Sequence, residues 1–493
     1  MVDRSRRSAL HLRPRQMGHV RLSDPTAEQR HASHDYDLIS GNVHYLHYQP
    51  AHPDRLTYHY QYDKLNHLRN EVYTSEIETE HSRSSLWKRD AAYYYYYYYD
   101  HGPLRRTVLG QESLQGLDYA YTLQGWIKGL NGSLGDDYRN VAAPDLTMDG
   151  YPDAPGGAPD RLAHRDLYRY ANQYFHEDYK PIASGILNPM DHVLPPDYEL
   201  FNGNIVRHYQ ATAADGFRTA GLVGEYDQLN RLCFGTNAFY GGRKPSDLAL
   251  TDALEAPTYD GNGNIRTLDR RYTATQGQHG TNRLHYTYAP GTNLLTRVEG
   301  RVNGSVGEWQ PFDLLRGMTT YDYDRSGNLI HEQPGDDEAK GTTIAWNPSA
   351  VAGVGALATS QVTTVDSPAG TTTFGYGPDQ NRWKKSVNDR ATYYVRDAQG
   401  STIATYAEQG GAAGAGLTWK QQYLYGSARL GEVVMNRPLD ASTGSTPNFG
   451  ARRYELSNHL GNVTTVFGEY TRQYNDTEDG SLYSAPELVS SQD

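Results

Sequence analysis

A short pattern of tyrosine, aspartate, glycine and asparagine recurs along this chain, and it constrains the possible folds more than any other feature. Its shared form is Tyr-x-Tyr-Asp-x-x-Gly/Asn-Asn/Arg-aliphatic, and strand-like residues flank it on both sides. The clear copies are YQYDKLNHLRNEV, GEYDQLNRLCF, PTYDGNGNIRTL, TYDYDRSGNLIHE, FGYGPDQNRWKKSV and YYVRDAQGSTIATY, and the degenerate ones are LFNGNIVRHY, HYTYAPGTNLLTRV, QYLYGSARLGEVV and YELSNHLGNVTTVF. Repeats of this size mark structural units that stack on one another, so the sequence predicts a repeat architecture.

Each copy of the pattern predicts a β-hairpin. In TYDYDRSGNLIHE, Tyr321 and Tyr323 alternate, which places both rings on one face of a strand. Asp324 can accept hydrogen bonds from the backbone N–H groups that follow it and so open a turn. Gly327 and Asn328 tolerate the positive φ that tight hairpin turns require. The residues predicted to form these repeat turns are Tyr62, Asp63, Asn66, Tyr226, Asp227, Asn230, Tyr259, Asp260, Gly263, Asn264, Tyr323, Asp324, Gly327, Asn328, Asp397, Gly400, Gly461 and Asn462.

The composition indicates sheets that are wet on both faces rather than one dry core. The 493 residues include 42 Tyr but only 9 Phe and 6 Trp, and hydrophobic residues make up 37% of the chain. A tyrosine packs its ring while its hydroxyl stays on water or on a hydrogen-bond partner. The 49 Gly and 24 Pro predict frequent turns between the strands.

Charge and cysteine content narrow the partners and cofactors. The formal net charge of −12 argues against nucleic acid as the main partner. Cys233 is the only cysteine, which excludes an internal disulfide and a thiolate metal cluster, and we expect it to pack in a strand as a small apolar residue. No apolar run approaches the roughly 18 residues that a membrane-spanning helix needs.

The chain divides into four predicted regions. Residues 1–34 are polar and Arg-rich and are expected to be a disordered lead-in, and residues 35–144 form a first repeat region. Residues 145–199 are predicted to be a loop with a short helical insertion near 158–179, where APDRLAHRDLYRYANQYFHEDY has the best helical spacing in the chain. Residues 200–493 form the main repeat region.

The repeats resemble those of the RHS/YD-repeat family, which is named for the Tyr-Asp pair. The longer segments GLDYAYTLQGWIKGLN, YYVRDAQGSTIATY, YLYGSARLGEV and YELSNHLGNVTTVF are similar to segments of large bacterial RHS proteins, and the resemblance covers residues 35–493. It implies an all-β fold in which hairpins wind a spiral β-sheet shell, here a partial cocoon or barrel. In bacterial members of the family such a shell commonly encloses a C-terminal toxin.

The resemblance also implies what this sequence lacks. In the family, a core region follows the NHLGNV segment, and an Asp-dependent self-cleavage there frees the toxin in many members. Here that segment is followed by a short tail ending in SAPELVSSQD, so the cleavage residues and the toxin cargo are absent. We therefore expect a fragment of a secreted or cell-surface protein whose function is encapsulation, with no enzymatic activity and no cofactor of its own.

Other chemistry finds no support in the residue spacing. The segment DGNGNI, which begins at Asp260, has Ile265 where an EF-hand needs Gly and Arg271 where it needs Glu. His44 and His47 are spaced to lie on opposite faces of a strand, so they do not predict a zinc site. Phosphate-binding and nucleophile-elbow motifs do not occur.

An alternative function remains open, that of a carbohydrate-binding or adhesive extracellular module. Exposed aromatic rings at regular spacing can stack on sugars, whereas tyrosines that pack across strands would be structural. The run of seven tyrosines from Tyr93 to Tyr99 is where exposed rings are most expected. Solvent exposure of the rings distinguishes a sugar-binding surface from a closed wall.

Overall fold

The computed structural model shows an all-β protein with one short 3₁₀ helix, Glu338–Lys340. The residues it describes are 18–20, 30–49, 52, 54–74, 92–110, 114–131, 166–180, 199–212, 220–240, 248–273, 279–303, 309–311, 318–335, 338–346, 361–377, 380–388, 390–397, 399–408, 416–426, 428–439, 451–473 and 482–488.

The first third of the chain contributes ten strands. They are β1 (Gly18–Val20), β2 (Arg30–Tyr36), β3 (Val43–Tyr48), β4 (Leu56–Tyr62), β5 (Leu68–Thr74), β6 (Ala92–Tyr98), β7 (Leu104–Leu109), β8 (Gln115–Tyr121), β9 (Ile127–Leu130) and β10 (Tyr168–Gln173).

The middle of the chain contributes twelve more. They are β11 (Arg207–Thr212), β12 (Ala220–Tyr226), β13 (Leu232–Tyr240), β14 (Leu248–Tyr259), β15 (Ile265–Thr273), β16 (His279–Tyr288), β17 (Leu295–Asn303), β18 (Trp309–Pro311), β19 (Met318–Tyr323), β20 (Leu329–Pro334), β21 (Thr342–Trp346) and β22 (Val362–Ser367).

The last nine strands complete the sheet. They are β23 (Gly370–Tyr376), β24 (Arg382–Val387), β25 (Arg390–Arg396), β26 (Thr402–Glu408), β27 (Leu417–Tyr425), β28 (Arg429–Pro438), β29 (Ala451–Ser457), β30 (Val463–Gln473) and β31 (Leu482–Leu488).

The strands form an antiparallel meander in chain order. Each described strand pairs with its neighbour in sequence, except that β17 pairs with both the short strand β18 and the longer strand β19. The longest continuous run, β8 to β31, contains 24 strands, and β8 also pairs with β7, which joins the earlier strands to it. No pairing among the described strands closes this sheet into a barrel.

The main core lies between the two ends of the meander. One cluster of buried side chains joins residues of β2–β10 to residues of β25–β30. It includes Tyr48, Tyr58 and Tyr170 from the early strands and Tyr406 and Tyr454 from the late ones, all almost fully buried. The composition predicted a sheet without a dry core, and this expectation is wrong for the two ends, because tyrosine rings fill a core when their hydroxyls find partners inside it.

The middle of the meander has few buried side chains. A second cluster holds only Leu268, Leu284 and Val298 as buried members. In strands β19 to β24, Thr319 is the only fully buried side chain among those described. In this part of the sheet neither face carries a dry layer, as the composition predicted.

The predicted helix near 158–179 is wrong where the structure describes it. Tyr168–Gln173 is strand β10, which pairs with Leu130 of β9 on one side and with β11 on the other. The strand is buried on both faces, so it lacks the polar alternation that identifies a half-exposed strand in a sequence. Residues 158–165 lie outside the described part of the chain.

The predicted disorder of residues 1–34 also needs correction. Gly18–Val20 forms β1, and β2 begins at Arg30 and pairs with β3. Ala32 on β2 is buried in the main core. The other residues of this segment, and the predicted loop at 145–157, lie outside the described residues.

Candidate functional site

The repeat turns share one hydrogen-bonded geometry, which is clearest at Asp324. Its Oδ1 accepts hydrogen bonds from the backbone N–H groups of Ser326 and Asn328, both at 2.8 Å. The N–H of Gly327 donates to the carbonyl oxygen of Asp324 at 3.1 Å. The strand ladder shifts register next to Tyr323, so the hairpin closes through a turn followed by a bulge.

The same geometry recurs at the other predicted turns. In each one an aspartate or asparagine accepts from the N–H groups two and four residues ahead, and its own N–H donates to the carbonyl oxygen of the residue four ahead. The capping residues with this pattern are Asp63, Asp227, Asp260, Asp324, Asp397 and Asn458. Sequence analysis named all of these except Asn458.

The residue three positions after the capping residue adopts the left-handed backbone conformation. It is a glycine at Gly263, Gly327, Gly400 and Gly461, with φ between 82° and 91°. At the two earlier turns Asn66 and Asn230 hold this position with φ of 65° and 61°. Asparagine is the residue that tolerates this conformation best after glycine, so the two types substitute for each other here.

The expectation of positive φ at the next position is wrong. Asn328 is absent from the left-handed residues, and so are Asn264 and Asn462. The side-chain Nδ2 of Asn328 instead donates to Oδ2 of Asp324 at 2.9 Å, and Asn264 makes the same bond to Asp260. The spacing identified these asparagines correctly as turn residues but assigned them the wrong physical role.

These contacts lower the pKa of the turn carboxyls. At Asp324 and Asp260 the largest cause is the hydrogen bond from the asparagine side chain, followed by backbone N–H groups. At Asp227 the Arg231 side chain is the largest cause, and its Nε donates at 2.7 Å. Each of these carboxylates therefore accepts its hydrogen bonds within its own turn.

At several turns a tyrosine joins the hairpin to the one before it. The hydroxyl of Tyr259, the last residue of β14, donates to the carbonyl oxygen of Leu232, the first residue of β13, at 2.7 Å. The β13–β14 ladder begins only at Gly235, so this carbonyl lies where the ladder has ended. The hydroxyl thus closes the gap between consecutive hairpins at their turn edge.

The same joint occurs at other places along the edge. The hydroxyl donor and carbonyl acceptor are the last residue of one strand and the first residue of its neighbour in the pairs Tyr98 and Leu68, Tyr288 and Ile265, and Tyr425 and Thr402. The hydroxyl of Tyr226 donates to Ile205 in a related position. At β21 an indole replaces the phenol, and Nε1 of Trp346 donates to Leu329 at 2.6 Å.

Hydrogen bonds between asparagine side chains also link neighbouring turns. Asn42 donates to Asn66 at 3.2 Å, and Asn202 donates to Asn230 at 2.7 Å. Asn264 also donates to Asn293 of the following turn. The predicted turn residues therefore lie along one edge of the sheet and are not gathered into a pocket.

A second site is the seam between the two ends of the meander. Tyr406 on β26 donates its hydroxyl to Asp54 Oδ2 at 2.7 Å, and it also contacts the hydroxyl of Tyr48 on β3. Since the hydroxyl hydrogen of Tyr406 points to Asp54, the hydroxyl of Tyr48 is the donor in its hydrogen bond with Tyr406. Nearby, Gln422 donates to Tyr58, whose hydroxyl donates to the carbonyl oxygen of Tyr423. Sequence analysis missed this seam, because its members lie more than 350 residues apart.

A third site is a shallow tyrosine groove, lined by Gln61 and Tyr62 of β4, Arg69 of β5, and Tyr95, Tyr96 and Tyr97 of β6. Its volume is about 320 Å³ and it is open to solvent. Tyr97 is 44% exposed. The register shift between Gln61 and Tyr62 places the extra residue, Arg69, at the groove. The side chains of Tyr93 and Tyr94 lie outside the described residues.

Large exposed apolar side chains stand at the tips of the turns. Their positions follow the capping residue by one or two in nearly every case, where the turn points side chains into solvent. They are Leu38, Ile39, Leu65, Leu123, Phe201, Leu229 and Leu460. Sequence analysis did not single them out.

The metal and thiol alternatives can be placed in the structure. Within the described ranges, no group of three or more His, Cys, Asp or Glu side chains is positioned to hold a metal ion. His47 contacts Thr57 and Asp35, while His44 stacks beside Tyr62. Cys233 lies in β13, half-buried, with Sγ 3.6 Å from the Glu225 carbonyl oxygen.

Comparison with known proteins identifies no family for this chain, so its class is defined by the fold and the sites described above. No model of a protein family matches the sequence, and no curated protein matches it either. Among the described residues no helix is both long and apolar enough to cross a membrane. The class defined by the structure is an antiparallel β-meander protein with a hydrogen-bonded turn edge.

Proposed function

We propose that the protein is a non-catalytic wall of an encapsulating shell, of the kind implied by its resemblance to the RHS/YD-repeat family. The contact that carries this proposal is the seam, where Tyr406 meets Tyr48 and Asp54 across the length of the chain. A meander whose first strands pack against its last strands has turned back on itself, and such a path can enclose space.

The turn edge supports a wall function. The motifs supply turns of one geometry, and tyrosine joints link several of the hairpins to the preceding one, so the same stabilising contacts recur along the sheet. The acidic side chains of the motif are satisfied in place, which leaves them no free part in catalysis. The cargo of such a wall is a C-terminal toxin polypeptide, and the site of action is outside the producing bacterial cell.

A protected reporter tests the proposal. An unstructured, protease-sensitive peptide is fused after Asp493, and its rate of cleavage is compared with that of the free peptide. We expect strong protection in the fusion and faster cleavage in the double variant Tyr48→Phe, Tyr406→Phe, which loosens the seam. Cleavage of the fused and free peptides at equal rates would contradict encapsulation by this wall.

Carbohydrate binding is the second candidate function, and the tyrosine groove favours it. The groove combines the exposed ring of Tyr97 with the amide of Gln61 and the guanidinium of Arg69, groups that can stack on a sugar ring and bond its hydroxyls. Sites for small ligands commonly combine aromatic surface with a few convergent polar groups.

Glycan binding and tyrosine labelling test this second candidate. The wild type and Tyr97→Ala are compared on an array of bacterial and host glycans, and Tyr97 is probed by chemical modification with and without the best ligand. We expect binding that Tyr97→Ala abolishes and labelling that the ligand blocks. Absence of any retained glycan, or unchanged labelling, would remove this function and leave the wall.

A further inference from the structure

The last repeat turn rests on the early strands through two histidines. This turn, residues 458–462, connects β29 to β30, and its His459 ring lies 4.7 Å from the ring of His208 on β11. The ring of Tyr170 on β10 completes the contact, at 5.9 Å from His459 and 5.8 Å from His208. Two segments some 250 residues apart therefore meet at a pair of imidazoles.

A chain of hydrogen bonds determines which ring nitrogen of neutral His208 carries the proton. Asn172 donates its Nδ2 to the carbonyl oxygen of Ile127 at 3.0 Å, so its Oδ1 is the atom that faces His208. Nδ1 of His208 lies 2.7 Å from that oxygen and must therefore carry a proton. A second proton on this ring would go to Nε2 and give the ring a full charge.

His459 is placed just as unfavourably for a charge. Its Nδ1 is buried and has no hydrogen-bond partner among the described residues. Burial lowers the pKa of His459, and burial together with the neighbouring His459 ring lowers the pKa of His208 to about 4. Both rings are thus neutral at neutral pH, and protonation adds like charges inside the contact.

The charged groups on the surrounding elements do not compensate for this. Besides burial, the neighbouring His459 lowers the pKa of His208, and a hydrogen bond to Gln210 raises it in part; no described carboxylate is among the causes for either histidine. Of the other charged groups on β9 to β11 and β29, Lys128 pairs with Asp178 and Glu455 pairs with Arg429. Strand alternation places Arg169 and Arg207 on the face opposite His208. The other two, Arg452 and Arg453, are cations at the start of β29 and cannot offset a positive charge on the imidazoles.

We infer that the contact between turn 458–462 and strands β10–β11 is an acid-released latch, closed while His208 and His459 are neutral and opened when they are protonated. The released element is the last described hairpin turn of the meander. Opening would free this turn from β10 and β11 in an acidic compartment, while the core between the two ends and the other turns stay in place. This inference stands whether or not the wall encloses a cargo.

The size of the effect follows from the shift at His208. A group with a pKa near 6.5 when released and about 4 when docked raises the ratio of open to closed latch roughly 30-fold between pH 8 and pH 5. Protonation of His459 acts in the same direction. Turns without histidine, such as 260–264 and 324–328, should not respond over this range, because their carboxyls stay ionised.

Hydrogen exchange measured by mass spectrometry tests the latch. Exchange rates of peptides covering 458–462 and 168–173, corrected for intrinsic chemistry, are followed from pH 8 to pH 5, with peptides covering 260–264 and 324–328 as internal controls. We expect at least tenfold loss of protection in the latch peptides only. His459→Phe and His208→Gln each remove one titrating ring and should each reduce the pH dependence, and the double variant should abolish it.

Three outcomes would overturn the inference. Latch peptides with unchanged protection at pH 5 would show that protonation does not open the contact. Equal loss in the latch and control peptides would show general acid unfolding. A pH dependence that survives undiminished in the double variant would assign the effect to other groups.

Discussion

The hydroxyl of Tyr259 donates to the backbone carbonyl oxygen of Leu232, 2.7 Å away on the neighbouring strand, at the point where the ladder between β13 and β14 has ended. At Tyr259 and Asp260 the two motif residues therefore act on neighbouring hairpins. Asp260 closes the turn that follows, and Tyr259 links the end of β14 to the start of β13.

Removing one of these tyrosine hydrogen bonds should destabilise the sheet without changing its fold. Tyr259→Phe keeps the ring but leaves the Leu232 carbonyl without its donor, and we expect a loss of about 0.5–1.5 kcal/mol in the free energy of unfolding. Tyr97→Phe is the matched control, because its hydroxyl is exposed and no hydrogen bond to a described residue involves it. Denaturant titration measures both, and an equal effect of the two variants would contradict the joint.

Substitutions at the left-handed position of the turn should measure the cost of backbone strain, because a side chain there meets little packing. Gly327 has φ of 84°, and a Cβ there would meet only the side chain of Leu294 at 3.8 Å. Gly327→Val is therefore expected to cost about 1–2 kcal/mol from conformation alone. Gly327→Asn should cost clearly less, since Asn66 and Asn230 adopt the same conformation in their turns. Thermal unfolding of the two variants makes the comparison, and equal melting would show that this turn is not left-handed.

Acid should destabilise the turn edge at lower pH than the latch. The pKa of Asp324 is lowered by its hydrogen bonds, so its stabilising effect is present above 3.8 and is lost as pH falls below that value. The same holds for Asp227 and Asp260. Melting temperatures recorded from pH 5 to pH 2 should fall, and Asp324→Asn should show a smaller fall than the wild type. An identical pH profile in the variant would refute the role of this carboxylate.

A buried ion pair makes the region of β9 and β10 sensitive to single charge changes. Nζ of Lys128 lies 2.6 Å from Asp178 Oδ1, and both side chains are almost completely buried. Lys128→Met leaves the carboxylate buried without its partner, and we expect a loss of about 3–5 kcal/mol. Adding Asp178→Asn removes the charge but keeps an acceptor for the Tyr174 N–H, so the double variant should recover most of it. Denaturant titration of both variants decides, and a double variant as unstable as the single one would contradict this explanation.

The local features of the protein could be predicted from the sequence because their causes are local. The aspartate, the left-handed residue and the following asparagine all lie within five residues of one another, so spacing alone located the turns from Asp63 to Gly461. The alternating residues on either side of these turns predicted strands, and so an all-β fold. Where the local rule was applied too literally, as for the backbone of Asn328, the residue was right and its role was wrong.

Tertiary structure decided everything that depends on residues far apart in the chain. The sequence of β10 was predicted to be helical because burial on both faces removes the polar alternation of a strand. Its pairing with β9 and β11 shows that it is a strand. The seam of Tyr48 with Tyr406 and the contact of His208 with His459 join positions whose separation no spacing pattern encodes. The sequence determined the repeating turn, because hydrogen bonds within a turn act over a few residues. The path of the meander decided which tyrosines and histidines became buried, because burial depends on what the far end of the chain brings against them.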